Sequence, residues 1–140
     1  PDVNDEFSKK FGRKYGDGLI ETYNMPAKFA IVSMGSVCGT IKYLLEKEKI
    51  RDIGLVRIKT FRPFPYTELQ RALNNCESIG VLEKDISPGI GGALWSETRA
   101  FVKKPISNFI GGLGGRDIKI DDLKRVFDLI RKRDEAFHWI

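Results

Sequence analysis

The sequence predicts an α/β protein of three layers, a mostly parallel sheet covered on both faces by helices. Four short and nearly continuous apolar runs, within 29–34, 53–59, 78–83 and 105–110, have the length and composition of strands buried on both faces. Amphipathic stretches with helical spacing lie between them. The two alternate along the chain, and repeated strand–helix–strand units build a parallel sheet with right-handed crossovers. The 140 residues suffice for one domain with an ordinary core.

The first 17 residues stand outside this pattern. They are polar, with Gly12, Gly16 and Asp17, and their only large apolar side chains apart from Val3 are Phe7, Phe11 and Tyr15. They read as a linker from a preceding domain that lies across a neighbour, its aromatics serving as anchors. The chain starts at Pro1 rather than at methionine, which suggests a cut within a longer protein. The folded domain is expected to occupy 18–140. Leu19-Ile20-Glu21-Thr22-Tyr23 gives a short first strand, and 29–34 a second. Val37, Ile41, Leu44 and Leu45 then mark one face of a helix. After the strand at 53–59, Thr67-Glu68-Leu69-Gln70 has the form of a capping box, with Leu69, Ala72 and Leu73 facing inward. After 78–83, Leu94, Thr98 and Phe101 mark a third helical stripe. Pro105 opens the strand at 105–110, where its missing N–H does least harm. Leu123, Val126, Phe127 and Ile130 form the cleanest stripe. Asp121 and Asp122 stand at its start and Arg131 to Arg133 at its end, the signs that the helix dipole favours.

Composition removes several classes of function. The net charge is +5, but the basic residues are scattered and each cluster has acids nearby, so nucleic acid is not an expected partner. No apolar run reaches the roughly 20 residues that a bilayer demands. Cys38 and Cys76 are far apart and form no CxxC pair, so neither a zinc nor an iron–sulfur site within this chain is expected. Two cysteines are also too few for a secreted disulfide framework, which favours a reducing, cytoplasmic setting.

Four glycine- or proline-rich segments are the places where chemistry could sit. Met34-Gly35-Ser36-Val37-Cys38-Gly39-Thr40 joins a strand to a helix, with Ser36 as the expected N-cap and Cys38 where a helix end lowers a thiol pKa. It is neither GxGxxG nor a P-loop, and no histidine stands nearby to activate Cys38. Phe61-Arg62-Pro63-Phe64-Pro65 is a rigid loop at the carboxyl edge of the sheet, with an arginine suited to anchoring an interface. Asp85 to Ala93 contains Gly89, Gly91 and Gly92 ahead of a helix. This fits either a backbone anion nest or a close-packed turn at a subunit contact. Gly111-Gly112-Leu113-Gly114-Gly115-Arg116-Asp117 fits either an anion clamp or a loop that needs positive φ. His138, the single histidine, lies in the terminal segment and reads as a surface residue; no catalytic triad or carboxylate pair is recognisable.

Together these segments resemble one family. Residues 18–23 (Gly-Leu-Ile-Glu-Thr-Tyr), 30–36 (Ala-Ile-Val-Ser-Met-Gly-Ser), 54–59 (Gly-Leu-Val-Arg-Ile-Lys) and 61–65 (Phe-Arg-Pro-Phe-Pro) are similar to the α subunits of 2-oxoacid:ferredoxin oxidoreductases. So are 80–85 (Gly-Val-Leu-Glu-Lys-Asp), Pro88-Gly89 and 108–117 (Asn-Phe-Ile-Gly-Gly-Leu-Gly-Gly-Arg-Asp). Each motif is short, but their order and spacing are specific, and the likeness is to the pyruvate members, or pyruvate synthases. Where relatives place Thr-Pro at the start of the last helix, this chain has Lys119-Ile120.

The resemblance implies a domain like the transketolase C-terminal domain. Its sheet has five strands in the order 1-3-2-4-5, with strand 1, residues 18–23, antiparallel. It further implies a non-catalytic role in the α subunit of a complex with β, γ and δ subunits. That complex converts pyruvate to acetyl-CoA, reversibly, and passes electrons to ferredoxin. Thiamine diphosphate, Mg²⁺, iron–sulfur clusters and coenzyme A belong to other parts of such an enzyme, so no catalytic, cofactor or metal residue is expected here. Arg62, Pro63, Phe64, Arg116 and Asp117 are the expected subunit-interface residues. A free-standing α/β module for a phosphate-bearing ligand such as coenzyme A, or the terminal domain of another thiamine enzyme, are the competing readings.

Overall fold

The computed structural model describes residues 2–14 and 16–140; Tyr15, one of the expected anchors, lies outside them. Five strands form where the apolar runs predict them: β1 (Ile20–Tyr23), β2 (Phe29–Met34), β3 (Ile53–Ile58), β4 (Ser78–Glu83) and β5 (Ile106–Ile110). A sixth, β6 (Phe137–Trp139), extends the sheet beyond the expected five, giving the order β1-β3-β2-β4-β5-β6. β1 is antiparallel to β3 and every other pairing is parallel. All six residues of β4 are buried, as befits a strand covered on both faces.

Helices α1 (Asp2–Phe11), α2 (Val37–Lys47), α3 (Tyr66–Leu73), α4 (Ala93–Phe101) and α5 (Ile120–Arg131) complete the chain. Alternation along the strands splits the core in two. Ile31, Leu55, Leu82 and Phe109 face α2 and α5, while Ala30, Val32, Val56 and Val81 face α3 and α4. Gly80 makes the first packing possible, because a Cβ there would lie 2.4 Å from Ile130 Cδ1. α1 buries none of its side chains; Asn4 ties it to the domain by donating to the Gly16 carbonyl at 3.0 Å.

Three local expectations are corrected. α3 begins at Tyr66 with Pro65 in the cap position, so Thr67 lies inside the helix and forms no capping box. Phe101 is exposed rather than inward, its ring 3.7 Å from that of Tyr66. Ser36 holds the cap position of α2 but makes no capping hydrogen bond through its side chain. At α5 the Lys119-Ile120 start is repaired by Asp122, whose Oδ2 accepts the Lys119 N–H at 2.8 Å.

Candidate functional site at the carboxyl edge

Because β2 to β5 run parallel, the segments after them emerge at one edge of the sheet. Apart from Gly12, every described glycine with positive φ lies in a turn at this edge.

The turn between β4 and α4 holds the most unusual group. Glu83, the last residue of β4, is 2% exposed. Its carboxylate accepts the Leu94 N–H at 2.7 Å, the Trp95 N–H at 3.1 Å and the Asn108 Nδ2–H at 2.7 Å. Asn108 Oδ1 in turn accepts the Gly92 N–H at 3.0 Å, and Asp85 Oδ2 accepts the Ala93 N–H at 3.0 Å. The four exposed N–H groups that begin α4 are thus taken by this chain's own oxygens. Glycine is required beside them, since a Cβ on Gly92 would lie 1.9 Å from the Glu83 carboxyl. Burial pushes the Glu83 pKa up to about 7, against the opposing pull of the Leu94 N–H, while nearby Asp85 pushes it further up. Of the two readings of 85–93, an anion nest or a close-packed turn, the structure shows a turn whose N–H groups are filled by the chain's own side chains, Glu83, Asp85 and Asn108. Sequence reading missed Glu83; the available signal was an acid closing the largely apolar run 79–82, eight residues before the Gly91-Gly92 pair that starts a helix.

On one side of this turn lies the 61–65 loop. Arg62 is exposed, stacks over the Phe61 ring at 4.3 Å and donates to Glu97 Oε1 at 2.6 Å. Tyr66 OH donates to the other Glu97 oxygen at 2.9 Å, so one side chain of α4 holds both. Pro63 is exposed, and Phe64 is buried between Phe61 and Tyr66 as part of the core. On the other side, Gly111 to Arg116 with Trp139 and Ile140 line a depression of about 640 Å³. Arg116 and Asp117 are exposed. The 61–65 and 111–117 loops follow strands three positions apart in the sheet, about 14 Å.

The remaining candidates lie away from these turns or within the core. Cys38 is fully buried and its thiol is pushed up by burial, the reverse of the expected lowering. Cys76 lies in the core on the other face of the sheet. Among the described residues no group of three or more His, Cys, Asp or Glu is arranged to hold a metal ion. The residues present thus do not fit Mg²⁺ or an iron–sulfur cluster, and a diphosphate at α4 would meet Glu83 and Asp85. His138 lies in β6, half-buried, stacked on Phe109 at 5.2 Å and paired with Asp134. No helix is long and apolar enough to cross a membrane.

The strand order, the antiparallel edge strand and the glycine-lined carboxyl edge define a doubly wound α/β domain. A solved structure supports that class: 2-oxoglutarate:ferredoxin oxidoreductase from Magnetococcus marinus superposes with a TM-score of 0.64 at 18% identity. The match covers 89% of this chain and 21% of that one. Residues 27–123 match the family pyruvate:ferredoxin oxidoreductase core domain II, and the chain belongs to that family. It is 47% identical to the pyruvate synthase subunit PorA of Methanocaldococcus jannaschii, over 99% of this chain and 37% of the relative. It is 34% identical to the ketoisovalerate oxidoreductase subunit VorA of Pyrococcus abyssi, over 96% and 36% respectively. The chain therefore spans little more than a third of the length of the curated relatives it matches.

Proposed function

We propose that this chain is the C-terminal domain of the α subunit of a pyruvate:ferredoxin oxidoreductase, cytoplasmic, and that its task there is assembly rather than catalysis. The family match over 27–123, together with the likeness to pyruvate synthase subunits, carries this reading. In it, the complex converts pyruvate and coenzyme A to acetyl-CoA with reduction of ferredoxin. Thiamine diphosphate, Mg²⁺ and the clusters are held by other domains and by the β, γ and δ subunits. Residues 1–17 are the linker from the preceding domain and 18–140 the domain proper.

The interface is the carboxyl edge. Arg62 and Arg116 are exposed there and suited to bidentate contacts with partner carboxylates, with Pro63 and Asp117 beside them. Phe64 acts from beneath, as the buried support of the 61–65 loop. The competing reading, a module for a phosphate-bearing ligand, is weakened at 85–93 because the nest already holds two carboxylates. The Magnetococcus enzyme was solved with 2-oxoglutarate, coenzyme A and succinyl-CoA, but at 18% identity it supports only the fold.

Purification of the full complex and CoA-dependent viologen reduction with pyruvate, 3-methyl-2-oxobutanoate and 2-oxoglutarate tests the reading. The expected result is the highest kcat/KM for pyruvate. A higher value for either of the others contradicts the pyruvate assignment.

A further inference from the structure

Helix α1 stands apart from the rest of the domain, and none of its side chains is buried. Asn4 and Ser8, one turn apart, are its half-buried residues, and Asn4 Nδ2 donates to the Gly16 carbonyl at 3.0 Å. The neighbouring stripe of the helix, Val3, Phe7 and Phe11, is apolar and lies open at 79%, 40% and 51% exposure. Its two rings sit together, centroids 4.7 Å apart. Gly12, at φ 65°, ends the helix directly after the stripe. A helix this short is marginal in water, and what sustains such a helix in a protein is the packing of its apolar face. The domain meets the polar side of α1 and leaves the apolar side uncovered.

Size bears on what covers it. Two phenylalanines bring about 150–250 Å² each and a valine less, short of the roughly 800 Å² a side of a stable contact between separate chains. Within one polypeptide a contact of that size suffices, because the tether supplies a high effective concentration. The relatives have the length for it: this chain spans 37% of the Methanocaldococcus subunit and 36% of the Pyrococcus one. We propose that the Val3, Phe7 and Phe11 stripe docks in an apolar groove on the remainder of the same polypeptide, so that α1 clamps the domain to its own subunit instead of serving as a free linker. This rests on the reading of the chain as part of a longer α subunit. The rim of the groove should be basic beside Asp2 and Asp5 and acidic beside Lys9 and Lys10. Another subunit is the rival occupant, since Gly16 to Gly18 bring the chain into β1 at the carboxyl edge.

Hydrogen–deuterium exchange and cross-linking on the assembled full-length complex test the docking. Amides within 2–11 should exchange at least roughly tenfold more slowly than unstructured ones, whereas a free helix of this length would hardly slow them. Phe7→Ser combined with Phe11→Ser should remove that protection and leave peptides from β2 to β5 unchanged. Lys10→p-benzoylphenylalanine, beside the stripe but outside it, should on irradiation cross-link to the same polypeptide, at residues outside these 140. Unprotected amides at 2–11 overturn the docking, and so does protection that survives the double substitution or a loss that spreads into β2 to β5. A cross-link to another subunit, one confined to these 140 residues, or none at all, also overturns it. The functional reading fails on a different observation, a preference for another 2-oxoacid, which none of these results touches.

Discussion

At the amino edge of the sheet the polar groups are spent on this chain itself, whereas at the carboxyl edge several still face outward. Lys104 Nζ donates to the Leu73 carbonyl at 3.0 Å, to Cys76 at 2.6 Å and to Asn74, closing the end of α3. Arg131 grips Asp52 with two bonds of 2.8 and 3.0 Å, and Arg133 and Lys28 share Glu77. Asn24 Nδ2 bridges the Ile50 and Ile53 carbonyls at 3.1 and 2.6 Å. At the carboxyl edge Lys84, Arg116 and Lys119 are exposed, and so are Ile90, Leu113 and Trp139. The most deeply closed arrangement described there, Glu83 with α4, holds a carboxyl whose charge burial disfavours. Several of the amino edge's charges are engaged within the chain. The carboxyl edge combines glycine turns, exposed arginines and exposed apolar side chains, which is the basis of the interface proposal.

Four substitutions bear on this contrast, given from the largest effect on domain stability to the smallest. Gly92→Ala should cost about 3 kcal/mol, at the upper end for overpacking, because the new methyl lands on the Glu83 carboxyl. Urea midpoints at unchanged slope would show it, and a near-wild-type midpoint would mean that the α4 seat is soft. Lys104→Met keeps the aliphatic stem and orphans the carbonyls, so a loss of about 1–2 kcal/mol is expected in the same measurement. Asp52→Asn should cost less than about 1 kcal/mol, since the pair is partly exposed. Arg131 holds the Asp52 carboxyl below its ordinary value, so this contribution is present at neutral pH and is lost as pH falls through the acid range. Comparing melting at pH 7 and pH 3 should show the difference between Asp52→Asn and the unsubstituted protein shrink in acid. Arg62→Ala should leave the melting temperature nearly unchanged, because Arg62 is 61% exposed and its single ion pair is a surface one.

The sheet was legible because β2 to β5 are buried on both faces and so read as nearly continuous apolar runs. β6 was not: Phe137-His138-Trp139 has three residues, no period, and pairs only with β5. The α3 cap was misread because Thr67 offers a hydroxyl, while the chain reaches the helix through the fixed φ of Pro65. Cys38 was misread because a helix end lowers a thiol only where water or charge reaches it, and Cys38 has neither exposure nor a bonded cation. Arg62 and Arg116 were legible as loop residues beside proline and glycine. Glu83 was hidden because its partners, Leu94, Trp95 and Asn108, are 11 to 25 residues away.

The central claim is that the carboxyl edge is the assembly surface. It is tested most directly by the affinity of the full-length α subunit for its partner subunits, measured for the wild type and for Arg62→Ala in parallel with the melting temperature. The account predicts a domain that melts as before and an assembly weakened by about 2–5 kcal/mol, the cost of leaving a partner's buried charge unpaired. A variant that unfolds the domain while assembling normally would show that Arg62 serves the fold alone, and would contradict the claim.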